Sequence, residues 1–240
     1  MPLRLALITH TRNETNARQK QHQNHTLHLN ENTDFSIIII SFEPELKKPE
    51  TYLDLIDGWV LLVDKPITWT SFDVVNKLKG HLKGLKKVQP EEWRDRNVKI
   101  GHAGTLDPLA TGLLIICVGK HTKKIDYFQS LPKTYTGTLV LGKTTPSIDL
   151  ETDFNGEFPV DHIDTSLIQH IIATKLSGDI KQVPPIYSAI KLDGKRLYTH
   201  ARQGVQEEEL NIKIRDASIY RFDINTANFP EIDFEIECSK

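Results

Sequence analysis

The sequence is short of cysteine, of long apolar runs and of net charge, and each shortage removes a class of protein. Its two cysteines, Cys117 and Cys238, are too few for a disulfide framework and stand in no paired metal spacing. The longest unbroken apolar run, Leu113 to Val118, has six residues, against the ~18–20 that a membrane-spanning helix needs. The apolar stretch within Met1 to Ile8 is too short for the roughly 7–15-residue core of a secretory signal. Thirty lysines and arginines against thirty-two acids leave a formal charge of -2, so no global field advertises a polyanionic partner. With 38% hydrophobic residues and a mean hydropathy of -0.37, 240 residues suit one generous domain, or a domain with a tail, around a modest core. The expectation is a cytoplasmic chain that enters no membrane and uses no metal or cofactor.

What is present is unevenly spread. Residues 1–50 carry no glycine and no aromatic side chain before Phe35, and they read as a disordered N-terminal extension. Their histidines, His10, His22, His25 and His28, have no cysteine or acidic partners at ligand spacing. Residues 51–240 look globular. Trp59 to Val63 reads as a buried strand ended by Asp64-Lys65-Pro66. Thr70 and Ser71 offer an N-cap to a helix with Phe72, Val75, Leu78 and Leu82 on one side. Lys79 to Lys99 reads as an exposed basic connection, Leu113 to Val118 as a second buried run, and Thr134 to Leu141 as a strand. Asp164 can cap a helix striped by Leu167, Ile168, Ile171, Ile172 and Leu176. Asp233 to Cys238 alternates like a half-buried strand. This irregular succession favours an α+β fold over a strict βαβ array.

The near-zero charge is itself a sum of unlike parts. Residues 75–135 hold twelve basic and five acidic side chains, whereas 146–180 and 203–237 are strongly acidic. A clustered basic stretch suits a phosphate-binding face, and a solvated helix-and-loop surface would carry the same charges.

The most informative segment is Gly101-His102-Ala103-Gly104-Thr105-Leu106-Asp107-Pro108-Leu109-Ala110-Thr111-Gly112. Three glycines in twelve residues permit positive φ or close approach of a ligand to the backbone. No Gly-Lys-Ser/Thr closes it, so it is not a nucleotide-phosphate loop. Pro108 restricts Asp107 to extended conformations, which sets a carboxylate on a constrained loop ahead of a buried strand. Such a residue is a candidate catalytic group, and an Asp-Pro pair can equally be a plain turn starter.

This segment resembles the catalytic signature of the TruB-type pseudouridine synthases that act at position 55 of tRNA. Other blocks agree in order: Asp64-Lys65-Pro66 with Thr70-Ser71; Lys133-Thr134-Tyr135; Gly142-Lys143-Thr144-Thr145 through Asp149; Pro184 to Lys191; Gly194 to Tyr198; and Ala201-Arg202 with Gly204. The resemblance covers about residues 55–240. It implies an α+β fold with a central mixed, mostly antiparallel sheet flanked by helices and loops. It also implies isomerisation of a T-loop uridine to pseudouridine in tRNA after base flipping, by a monomer without cofactor. Asp107 matches the essential aspartate, acting at the ribose and glycosyl intermediate or by attack on the base at C6. Tyr135 matches the aromatic that stacks on the flipped uracil and assists proton transfer, and His102 the histidine supporting the flipped-out stem-loop. Asp149 and Tyr198 match positions lining the uridine pocket, Gly104 and Thr105 belong to the substrate-binding signature, and Lys65 and Lys191 would meet phosphates.

The family continues with Gly-Thr-Tyr-Ile-Arg where this sequence ends with Glu237-Cys238-Ser239-Lys240. That arginine pairs with the catalytic aspartate, and a PUA-type module can follow. The expectation for the 240 residues taken alone is therefore little turnover, with a silent tRNA-binding or RNA-chaperone module, or an inactive fragment, as the alternative.

Overall fold

The structure is a computed structural model. It describes residues 52–88, 90–91, 96–188, 190–192, 194–205 and 210–239, preceded by three short strands, β1 (Ala6–Ile8), β2 (His25–Leu27) and β3 (Ile37–Ile40). The disordered extension expected over residues 1–50 otherwise falls outside the described residues, as do the histidine side chains there. The chain divides into two compact units, His10–Leu131 and Met1–Thr9 with Pro132–Lys240.

In the first unit, helix α1 (Tyr52–Asp57) leads into β4 (Trp59–Lys65), followed by helix α2 (Ser71–Lys87), β5 (Ile100–His102) and β6 (Gly112–Val118). The strands form an antiparallel sheet in the order β2-β3-β4-β6-β5. Both expected apolar runs are therefore neighbouring central strands, buried on two faces, which is why each reads as continuous rather than alternating. Strand periodicity still sorts their side chains. Trp59, Leu61 and Val63 join Leu114, Ile116 and Val118 beneath Val74, Val75 and Leu78 of α2. Val60 and Cys117 face the other way, against Ala103 and Phe128. Phe128 lies in α3 (Ile125–Ser130), which follows a 3-10 turn at Gly119–Lys124.

Helix α2 departs from expectation in two ways. Its buried residues are Ser71, Val74, Val75 and Leu78; of the expected stripe Val75 and Leu78 are buried and Leu82 packs against the same core, and Phe72 alone turns outward. Phe72 is 56% exposed and lies under Lys79, whose Nζ is 5.3 Å from the ring centroid. The helix also continues to Lys87, through a stretch expected to be a connection. Gly80 and Gly84 lie within it, and nothing comes within 4 Å of a Cβ built at either. The lysines and leucines around them are good helix formers, and two exposed glycines cost only about 1 kcal/mol each.

The second unit is built on the antiparallel sheet β1-β7-β14-β13-β10, formed with β7 (Lys133–Val140), β10 (Gly178–Gln182), β13 (Arg215–Asn225) and β14 (Glu231–Cys238). The strand expected at Asp233 to Cys238 is β14, paired along one edge with β7 and along the other with β13. Ile232, Phe234 and Cys238 point to the buried side, and Arg221 of β13 bridges Asp223 and Glu235 on the exposed side. Smaller ladders pair β8 (Lys143–Thr144) with β9 (Gly156–Glu157), and β11 (Lys191–Leu192) with β12 (Lys195–Arg196). Helix α4 (Thr165–Lys175) starts at Asp164, whose carboxylate accepts from the Leu167 amide at 2.7 Å. Of its expected stripe only Ile172 is fully buried; Leu167 and Leu176 are exposed. Helix α5 (Leu197–Arg202) anchors through Leu197.

The α+β class is borne out. Every strand pairing described is antiparallel; the strands form two five-stranded sheets, one per unit, and the two separate two-stranded ladders of the second unit. Among the described residues, no helix is long and apolar enough to cross a membrane.

Candidate active site

The glycine-rich segment forms the turn between β5 and β6, two strands that pair directly, Ile100 opposite Val118 and His102 opposite Ile116. Between them the chain loops out and carries Asp107 at an exposed position. Gly104 and Gly112 have φ of 126° and 113°, a region costly for any residue with a Cβ. At Gly104 no atom comes within 4 Å of a built Cβ, so its backbone faces open space. His102 folds back on this turn through a short hydrogen bond between Nδ1 and the Gly104 carbonyl. Thr105 is exposed beside it.

The residues on either side of Asp107 are held by the segment that joins β4 to α2. On the N-terminal side, the Ser71 hydroxyl accepts from the Leu106 amide at 2.9 Å and donates to the Leu106 carbonyl at 3.1 Å. On the C-terminal side, the Pro108 carbonyl accepts from the Thr68 amide at 2.7 Å and from Lys65 Nζ at 3.4 Å. Thr68 pays for that contact with a φ of 72°, uncommon for a β-branched residue. The Asp107 carbonyl closes a turn by accepting from the Ala110 amide at 3.0 Å.

Lys65 departs from its expected role. It is fully buried, because β4 alternates and Lys65 continues the face of Trp59, Leu61 and Val63. Its ammonium donates to the carbonyls of Trp69 at 2.6 Å, Pro66 at 3.0 Å and Pro108 at 3.4 Å, matching three N–H donors to three acceptors. Burial lowers its pKa from the usual lysine value, and the carboxylates of Asp107 and Asp73 oppose that shift. Lys65 thus acts as an internal brace beneath the Asp107 loop rather than as a solvent-facing phosphate contact.

Beside this brace an open cleft of about 460 Å³ is lined by Thr68, Trp69, Asp73 and Lys77. Lys77 and Lys79 are half-buried along α2, and Lys83 and Lys87 are exposed. Five of the twelve basic residues of the 75–135 stretch thus lie along one helix of the unit that carries Asp107. Cys117 is buried under the same sheet, and burial pushes its thiol up to about 11, an effect Lys124 partly offsets. Among the described residues no cluster of three or more His, Cys, Asp or Glu could hold a metal ion.

The remaining expected site residues belong to the second unit. Tyr135 is half-buried in β7, opposite Ile236 of β14. Asp149 sits in a loop pinned by hydroxyls: Thr145 and Ser147 donate to its carbonyl at 2.7 and 3.3 Å, and its carboxylate accepts from the Glu151 amide at 2.9 Å. Glu151 pairs with Arg202 at 2.5 Å, and the Arg202 guanidinium lies 5.3 Å from the centroid of the Tyr198 ring. Asp149 and Tyr198 are thus tied to one another through Glu151 and Arg202. Lys191 is in β11 opposite Arg196, and its side chain lies outside the described residues. Sequence reading missed Ser71, Thr68, Glu151 and Arg202 as parts of these arrangements. For Ser71 the available signal was a second hydroxyl beside Thr70, which already suffices as a cap.

Comparison with known proteins gives the following. Residues 92–240 match the family model described as TruB family pseudouridylate synthase (N terminal domain). A protein of Flavobacterium johnsoniae named tRNA pseudouridine synthase B is 53% identical over 192 residues, covering 80% of this chain and 78% of that protein. Proteins of the same name from Parabacteroides distasonis and Phocaeicola vulgatus are 44% and 45% identical, covering 75% and 74% of their lengths. Among solved structures, a chain in the crystal structure of a Cbf5-Nop10-Gar1 complex aligns with a TM-score of 0.47 and 20% identity. The alignment covers 86% of this chain and 49% of that one.

Proposed function

The chain belongs to the TruB family of pseudouridylate synthases, and on that premise we propose that it converts the uridine at T-loop position 55 of tRNA with Asp107 as its catalytic carboxylate. The reaction is an isomerisation of uridine to pseudouridine in tRNA. The N1–C1′ bond breaks, the uracil turns, and a C5–C1′ bond forms, while C5 loses its proton and N1 gains one. No atom is added or removed, so no redox partner is required.

The observation that carries the proposal is the bracing of Asp107. An exposed carboxylate is held from both flanking residues by Ser71, Thr68 and Lys65, and the Lys65 ammonium attracts it electrostatically. An ionised group fixed in place before substrate arrives avoids reorganisation during the reaction. Asp107 then takes a proton from the ribose as the N1–C1′ bond breaks, stabilises the glycosyl intermediate, and returns that proton to the ribose as the C5–C1′ bond forms. Reaching the base requires flipping it from the folded T arm, at a cost of a few kcal/mol. Stacking on Tyr135 would return about 1–3 kcal/mol. His102, Gly104 and Thr105 border the loop that meets the flipped nucleotide, and Asp149 and Tyr198 line the uracil pocket. Lysines along α2 meet T-arm phosphates, so that recognition rests on shape more than on helical sequence. The enzyme acts as a cytoplasmic monomer.

The test is tritium release from tRNA labelled at uridine C5, using the full gene product. Wild type should release tritium from position 55. Asp107→Asn should release none while binding the same tRNA with an affinity within about threefold of wild type. Turnover by the Asn variant would remove Asp107 from the role.

A further inference from the structure

We propose that Ser71 is a positioning residue for this reaction, setting the place of the Asp107 carboxylate through the backbone of Leu106; the role rests on the assignment of Asp107 above. Ser71 is only 2% exposed, and its one hydroxyl engages both backbone groups of Leu106. A hydroxyl has one donor and two acceptor sites, so the pair of contacts uses the donor and one acceptor. The Leu106 carbonyl shares a peptide plane with the Asp107 amide. Holding it therefore fixes the plane from which the catalytic residue springs.

The helix does not explain this hydroxyl. Capping of α2 is complete at Thr70, whose side chain accepts from the Asp73 amide at 3.0 Å while Asp73 accepts from the Thr70 amide at 2.8 Å. Alanine would suit position 71 better by helix propensity alone. Nor is Leu106 adrift without the contact, since its side chain packs on the α2 face of the core. The Ser71 contact adds orientation to a residue that packing has already placed. Removing it leaves the Leu106 amide and carbonyl seeking other partners, and the loop can satisfy them by shifting toward water. A displacement on the order of 1 Å at a reacting group can cost about 100-fold in rate.

Steady-state kinetics of the full gene product on tRNA test the proposal, with thermal melting measured on each variant. Ser71→Ala should lower kcat about 10- to 100-fold with KM for tRNA within about threefold. Ser71→Cys keeps similar volume with a weaker donor and acceptor and should fall between. Thr70→Ala removes the helix cap but not the Leu106 contact; it should lower the melting temperature with kcat within about twofold of wild type. Two results would overturn the proposal: wild-type kcat in both Ser71 variants, or kcat losses that simply track melting temperature across all three. Asp107→Asn run alongside separates the layers. Turnover by that variant defeats the assignment of Asp107, whereas an inactive Asp107→Asn beside a fully active Ser71→Ala defeats the Ser71 role alone.

Discussion

Replacing Lys65 by methionine preserves the length and most of the volume of a fully buried side chain and deletes only the ammonium. Three carbonyls lose a donor: Trp69 at 2.6 Å, Pro66 at 3.0 Å and Pro108 at 3.4 Å. Hydrogen bonds to charged groups contribute about 1.5–3 kcal/mol each, so the gross loss from three is about 4.5–9 kcal/mol. Two effects reduce it. The Pro108 carbonyl keeps the Thr68 amide, and Pro66 and Trp69 are only half-buried, so water can reach them. Deleting the charge also relieves the burial that lowers the lysine pKa. The expected net destabilisation is about 3 kcal/mol. With a urea dependence of about 1–3 kcal/mol per molar, the unfolding midpoint should fall on the order of 1 M. Tryptophan fluorescence reports it directly, because Trp59 is buried in the same strand and Trp69 lies at the brace. A midpoint within about 0.2 M of wild type would refute the brace, since it would mean those carbonyls are satisfied without Lys65.

Two further outcomes follow from titratable groups. Hydrogen bonds from the Thr70 hydroxyl and amide hold the Asp73 carboxyl below its ordinary value, so its support for α2 is complete above about pH 4 and is lost as pH falls through the lowered folded value. The melting-temperature gap between wild type and Asp73→Ala should therefore be widest near neutrality and narrow as pH falls below the ordinary carboxylate range; a gap independent of pH would contradict the capping role. The Cys117 thiol, raised by burial to about 11, stays protonated at neutral pH. Cys117 and Cys238 should both resist alkylation in the native protein and react once urea unfolds it; mass-spectrometric detection of native labelling at Cys117 would contradict its burial.

What could be read from the residues was chiefly what local patterns encode. The strands at Trp59–Lys65, Gly112–Val118, Lys133–Val140 and Glu231–Cys238 and the caps at Thr70 and Asp164 were legible from apolar runs and cap chemistry. Asp107 was legible because three glycines and a proline frame it. Lys65 was misread because its charge suggested solvent, while the continuous apolar run before it hid the alternation that turns it inward. Phe72 was misread because it stands three residues before Val75, as Leu78 stands three after it, and only contact with the sheet shows that the first turn buries Ser71 and Val74 instead. The grip of Ser71 on Leu106 spans 35 positions, and the tie from Asp149 to Tyr198 runs through a Glu151–Arg202 pair 51 positions apart. Neither leaves a local pattern.

The sheet order of the second unit carries a consequence for the timing of synthesis. Strand β7, which bears Tyr135, needs β14 as one of its two neighbours, and the Thr138 hydroxyl that meets Asp233 must wait 95 residues for its partner. A ribosome adding about 5–20 residues per second leaves that edge of β7 unpaired for roughly 5–20 seconds. The β4–β6 ladder of the first unit spans Trp59 to Val118 and is complete before any of β14 has been made. For that interval the nascent chain carries a finished Asp107 loop in its first unit and an unpaired β7 edge in its second, and this is when a chaperone has most to protect.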